Sequence, residues 1–215
     1  RRCFAFFHPA MPDEPLIFVE VALTKGVPGS IQKVLADGRD VLDADKADTA
    51  VFYSISNCQA GLAGISFGNS LIKQVVDDLS RQLPGLKTFV TLSPIPGLAA
   101  WAKDMGIEET VTPDNLQSLA AHYLLNAKRD DGAPRDPVAR FHLGNGAMVH
   151  AVHVKADTSE SGQVQSYGAM VNYLYDLSAN AQNHEGFADS FAVAASTDVK
   201  ALARAAKKND TKGTI

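Results

Sequence analysis

The stretch from Thr49 to Ser93 limits the fold more than any other part of the chain. It holds an apolar run, "TAVFYSIS" (Thr49–Ser56), a glycine-bearing loop, "NCQAGLAGISFG", a helical period, and a second apolar run, "LKTFVTLS" (Leu86–Ser93). The helical period runs from about Asn69 to Leu83 and sets Leu71, Ile72, Val75, Val76, Leu79 and Leu83 on one stripe, the spacing of a helix that buries one face. Asn69 or Ser70 can cap its start, and Pro84-Gly85 ends it. A strand, a helix and a second strand joined this tightly return the chain parallel to itself by a right-handed crossover. The fold class that follows is mixed α/β.

The flanking segments fit that class. "RRCFAFFH" and "PLIFVEVALT" read as strands with a Pro-rich turn, "PAMPDEP", between them, and "PGSIQKVLA" as a short helix. "GRDVLDADKADT" and "RDDGAPRDP" are polar and read as loops. "GLAAWAKDMG" and "TPDNLQSLAAHYLLNAK" read as helices, the second with Thr112 as cap and Pro113 at its first position. "GAMVHAVHVKA" alternates as a strand with Met148, His150, Val152 and Val154 on one face. "SGQVQSYGAMVNYLYDL" and the Ala-rich "ADSFAVAASTDVKALARAAKK" are both expected to be helices.

Composition narrows the function classes. With 215 residues, 46% of them hydrophobic, the chain can bury the core of one large domain or a domain and a half. A net charge of −4 offers no general attraction to nucleic acid or to an anionic membrane, and no apolar run is long enough to span a bilayer. The two cysteines, Cys3 and Cys58, make no disulfide framework, and no Cys-x-x-Cys or HExxH pattern marks a zinc site. The sequence opens at Arg1 without a methionine or a signal peptide, so it reads as the carboxy-terminal part of a longer protein.

Three places can carry chemistry. The loop before the first crossover helix has Gly61, Gly64 and Gly68 where free backbone N–H groups and the positive helix end favour a phosphate. It matches neither the nucleoside-triphosphate nor the dinucleotide glycine pattern, and packing alone would also explain it. Ser93, in "TLSPIPG", sits on a corner that two prolines stiffen. Because Pro94 has no N–H to lend to an oxyanion, Ser93 suits a hydrogen bond to a ligand better than nucleophilic attack. His142, in "ARFHLGNGA", precedes a Gly-Asn-Gly turn, and its imidazole can move a proton near neutrality. His150 and His153 lie three apart on a strand, which sets them on opposite faces and argues against a metal pair.

"FYSIS", "QAGLAGISFGNSLIKQVV", "LSPIPG", "RFHLGNGA" and "GAMVNYLYDL", in that order, resemble the carboxy-terminal catalytic domain of malonyl-CoA decarboxylase over nearly the whole chain. The resemblance implies a fold similar to the Gcn5-related N-acetyltransferases: a mixed central sheet whose parallel strands splay apart to admit the pantetheine arm of coenzyme A. It implies a catalytic pair, Ser93 and His142, and a CoA-binding loop of Ala63, Gly64, Ile65, Ser66, Phe67, Gly68 and Asn69. Asn145 and Tyr175 fall in matching blocks as pocket residues. Animal members carry a glutamate where this chain has Ser66, so a role for that acid does not carry over; the stretch from Gly97 to Ala133 also looks shorter than theirs.

The implied reaction is loss of CO2 from malonyl-CoA to give acetyl-CoA through a thioester enolate. It needs no metal, biotin or pyridoxal, because the thioester carbonyl takes the electrons. On this reading Ser93 hydrogen-bonds the thioester or the carboxylate, and His142, as imidazolium, protonates the enolate carbon. The partners implied are malonyl-CoA, an amino-terminal helical domain of the same protein and further copies of the chain, with neither nucleic acid nor membrane. The ending "KGTI" lacks a Ser-Lys-Leu signal, so a bacterial cytoplasm is expected. An acyl-CoA transferase on the same fold and a non-catalytic acyl-CoA-binding module are the rival readings.

Overall fold

The computed structural model describes the backbone of residues 1–38, 42–62 and 68–210. The chain opens with β1 (Arg2–His8), β2 (Met11–Thr24) and the short helix α1 (Ile31–Leu35). Then come β3 (Thr49–Asn57), α2 (Gly68–Gln82), β4 (Thr88–Thr91) and β5 (Ser93–Pro94). Three helices follow: α3 (Leu98–Asp104), α4 (Leu116–Asn126) and α5 (Pro137–Gly144). The remainder is β6 (Met148–His153), α6 (Glu160–Ser166), β7 (Met170–Leu174), α7 (Asn180–Ser190) and α8 (Thr197–Asp210). These elements form two compact units, one of residues 1–28 and 36–91, the other of residues 29–35 and 92–215.

In the first unit the strands lie in the order β1, β2, β3, β4. β1, β2 and β3 pair antiparallel, and β3 pairs parallel with β4 across the α2 crossover. The α2 stripe read from the sequence is the stripe that is buried: Leu71, Ile72, Val75, Val76, Leu79 and Leu83 all lie inside, with Val19, Val21, Val51, Phe52, Phe89 and Val90 of the strands. Each such side chain contributes about 1.5–3 kcal/mol on leaving water, far more than helix propensity supplies. The parallel ladder runs only from Thr49↔Thr88 to Phe52↔Thr91, whereas β3 continues to Asn57.

In the second unit β7 is flanked by β5 and β6, antiparallel to both. Leu92, Ile95, Leu98, Tyr123, Leu124, Leu143, Val149, Val171 and Tyr173 form its core. Among the described residues no helix is long and apolar enough to cross a membrane.

Several sequence expectations are corrected here. The turn between β1 and β2 is only Pro9-Ala10; Met11 to Pro15 are strand, with register shifts at Phe6–His8 that absorb the prolines. α4 starts at Leu116 rather than Pro113, because Thr112 and Asn115 bond each other's backbone N–H in a turn ahead of it. β6 does not bury the face through Met148 and His150. A register shift between Val149 and Ala151 makes His150 the extra residue, so Val149 and Val152 are both buried. Burial, with a smaller contribution from the charge of His153, lowers the His150 pKa. Among the described residues no group of three His, Cys, Asp or Glu is placed to hold a metal.

The largest correction concerns "SGQVQSYGAMVNYLYDL". It is not one helix. α6 stops at Ser166, Tyr167 and Gly168 take left-handed φ of 54° and 76°, and the chain re-emerges as β7. "ADSFAVAASTDVKALARAAKK" is likewise divided, since Phe191 takes φ 52° and closes α7 before α8 begins at Thr197.

Candidate active site

Three short segments of the second unit build the site. β5 supplies Ser93, paired with Val171 of β7 and bounded by Leu92, which is fully buried, and Pro94. Pro94 and Pro96 each fix their own φ, so the backbone from Ser93 to Gly97 has few ways to relax. α5 supplies His142. Its start is marked by Asp136 as N-cap and Pro137 at the first position, and its end by Asn145 and by Gly146 at φ 81°. β7 supplies Tyr173, and Tyr175 follows directly after its last residue, Leu174. Both rings meet His142.

The distances define a hydrogen-bonded chain. Ser93 Oγ lies 3.2 Å from His142 Nε2, and His142 Nδ1 lies 2.9 Å from the Tyr175 hydroxyl. The imidazole stacks on the Tyr173 ring at 4.6 Å and 25°, with the Phe141 ring edge-on at 5.0 Å. Ser93 is 6% exposed, His142 3% and Tyr175 5%. Both nitrogens of the ring are therefore engaged, and one of its faces is covered by Tyr173.

Burial sets the protonation. It pushes the His142 pKa from the ordinary 6.5 down to about 3. The position of His142 in the last turn of α5 acts the other way, but a helix carboxy-terminus is worth at most about 2 kcal/mol to a cation. Desolvation wins, and the ring is neutral at neutral pH. The expectation of a resting imidazolium is corrected accordingly. Burial likewise pushes the Tyr175 and Tyr173 phenols up, so both keep their protons.

A neutral ring between two hydroxyls has two arrangements. With the proton on Nδ1 donating to Tyr175, Nε2 accepts from Ser93. With Tyr175 donating to Nδ1, the Nε2–H donates to Ser93 Oγ. The second arrangement makes Ser93 a donor, which a developing oxyanion or carbanion needs.

The other sequence candidates fall as follows. Residues 63–67 of the glycine loop, with Ser66, lie outside the described residues; Gly68 and Asn69 open the backbone of α2. Asn145 ends α5; its carbonyl accepts from Asn180 Nδ2 at 3.0 Å, while its own buried Nδ2 has no partner among the described residues. Sequence reasoning missed Tyr173. A helical reading of "NYLYD" sets Tyr173 and Tyr175 about 200° apart around the axis, so they could not serve one ring. The strand alternation Tyr-x-Tyr was the available signal.

With this geometry in hand, the comparisons with known proteins are specific. A family model described as the malonyl-CoA decarboxylase C-terminal domain matches residues 1–114 and 100–213. The mitochondrial malonyl-CoA decarboxylase of Anser anser anser is 36% identical over 247 aligned residues, covering 93% of this chain and 49% of that protein. The crystal structure of malonyl-CoA decarboxylase from Agrobacterium vitis superposes with a TM-score of 0.88 at 50% identity, covering 94% of this chain and 56% of that one. The chain thus spans about half the length of the relatives it matches. The GNAT-like decarboxylase GphF shares the fold alone, with a TM-score of 0.56 at 21% identity.

Proposed function

The chain belongs to the malonyl-CoA decarboxylase family, and from that premise we propose that it converts malonyl-CoA to acetyl-CoA and CO2 at the Ser93–His142 pair. The observation that carries the reading is the buried chain of hydrogen bonds from Ser93 through His142 to Tyr175. Breaking the bond between the α-carbon and the carboxylate releases CO2 and leaves the electron pair in the thioester as an enolate. Ser93 Oγ–H donates to that enolate, and the α-carbon takes its proton through the Ser93–His142 pair. A thioester enolate is a stronger carbon base than an alkoxide or an imidazolate, so a neutral donor suffices and no imidazolium is required. One proton enters from solvent per turnover, because an anion departs as neutral CO2.

The remaining assignments rest on the family pattern. Residues 63–69 are assigned to the CoA moiety, and Asn145, with its unused buried N–H, to the substrate as a donor. The thioester carbonyl is the electron sink, so the proposal invokes no metal or organic cofactor. An amino-terminal helical domain in the same protein, self-association and a cytoplasmic site belong to the same proposal.

The direct test is malonyl-CoA alone. We expect stoichiometric CO2 and acetyl-CoA with no acceptor present; CoA-ester binding without CO2 release would favour a transferase or a binding module and sink the reading.

Tyr175→Phe tests the relay. It removes a hydrogen bond to a buried ring, worth about 1–3 kcal/mol, so kcat is expected to fall about 10- to 100-fold with KM nearly unchanged. Ring nitrogen shifts of His142 should report the changed tautomer; unchanged kcat and unchanged shifts would remove Tyr175 from the mechanism.

A further inference from the structure

Asp136 does more than begin a helix. It is 1% exposed, and its two carboxylate oxygens go to different parts of the chain. Oδ1 accepts from the Ala139 N–H at 2.9 Å, which is the N-cap bond of α5. Oδ2 accepts from the Gly97 N–H at 3.4 Å, on the segment that leads directly from Ser93. The Tyr123 hydroxyl lies against the same corner, so close that a Cβ built on Gly97 would fall 2.1 Å from it and 3.7 Å from Asp136 Oδ2. Only glycine leaves room for the backbone N–H to reach the carboxylate there.

The two connections out of Asp136 are both stiff. On one side α5 carries the cap to His142 in less than two helical turns, and a helix transmits displacement of its first turn to its last. On the other side Gly97 is joined to Ser93 through Pro94, Ile95 and Pro96, two prolines around a fully buried isoleucine. Arg140 holds the entry to α5 by donating to the carbonyls of Pro134 and Arg135 at 2.8 Å each. A carboxylate can accept from both segments at once, which a hydroxyl or a carboxamide cannot do with the same geometry.

We propose that Asp136 is a positioning residue that sets the Ser93–His142 separation by tying the Ser93–Gly97 corner to the amino-terminus of α5. This rests on the reading of that pair as the reacting site. The carboxylate touches no reacting atom; it acts through the register of two rigid segments. Burial pushes its pKa up, and the N–H groups of Ala139, Gly97 and Val138 pull it back, as expected of an anion retained for its hydrogen bonds.

The competing role is a plain helix cap, and substitutions separate the two. Serine and asparagine are good N-caps. Asp136→Ser keeps the acceptor for Ala139 but is too short to reach Gly97, and Asp136→Asn has one acceptor oxygen for two donors. Both are expected to keep a thermal midpoint near that of the parent while kcat on malonyl-CoA falls at least 10-fold and KM changes less than about 3-fold. The His142 ring nitrogen resonances should shift in both. Parental kcat and unmoved ring signals in either folded variant, or a loss confined to KM, would overturn the proposal. The Gly97 amide of the unaltered protein gives a measurement that needs no variant: slow hydrogen exchange is expected, and exchange at the rate of an exposed amide would also overturn it. If the parent releases no CO2 from malonyl-CoA, the proposed reaction fails, yet the ring shifts still decide the tie.

Discussion

Ser93→Ala and His142→Ala are each expected to lose two to four orders of magnitude in kcat on malonyl-CoA, with folding retained. A positioned proton-transfer group contributes about 10²–10⁴-fold, and here the donor hydroxyl and the ring that reprotonates it form one unit. Removing either should therefore cost nearly as much as removing both. The double variant is the informative one. Single-turnover measurement of CO2 release should put it within about 10-fold of the singles. Losses that multiply would mean that Ser93 and His142 act independently, contrary to their 3.2 Å contact. His142→Ala also opens a space beside Tyr173, so His142→Asn, smaller in its packing defect, is the fairer comparison.

The second large effect is on acid stability. Burial holds the folded-state pKa of His142 near 3, below the 6.5 of an ordinary histidine. As pH falls below 6.5 the unfolded chain takes the proton and the native ring does not, so stability drops by about 1.4 kcal/mol per pH unit through that window. Asp136, with its pKa raised, works the other way: the native carboxyl protonates first and offsets part of the loss at the acid end. His150 adds to the loss, since burial lowers its pKa as well. Urea midpoints of the parent and of His142→Asn between pH 7 and 5 isolate the one ring. The parent should lose about 2 kcal/mol more than the variant over that range. Equal slopes would show that His142 titrates as a solvated side chain, and the neutral-ring mechanism would then fall.

Much of this molecule could be read without coordinates, and the reasons lie in particular residues. The crossover from β3 through α2 to β4 was legible because its stripe from Leu71 to Leu83 is long and periodic, and because Pro84-Gly85 stops the helix unambiguously. Ser93 and His142 were legible because the chain around each carries a specific motif. Tyr173 was not, and the role of Tyr175 was incomplete. The stretch from Ser161 to Leu177 contains a helix and a strand joined by two left-handed residues, and a period averaged over both resembles a helix. Asp136 was hidden in a polar run, "RDDGAPRDP", where two other aspartates give no sign of which one is buried.

The sequence by itself determined the α/β class, the parallel crossover and the identity of the hydroxyl and the imidazole, because each depends on spacing or on residue type within a few positions. Only the tertiary structure decided that the imidazole is neutral, that two tyrosines at the end of β7 orient it, and that one carboxylate ties its helix to the serine corner. Those facts arise from exclusion of water and from contacts between residues some 40 or more positions apart, or about 30 for the Tyr175 bond. Desolvation and long-range hydrogen bonding have no local signature in the chain.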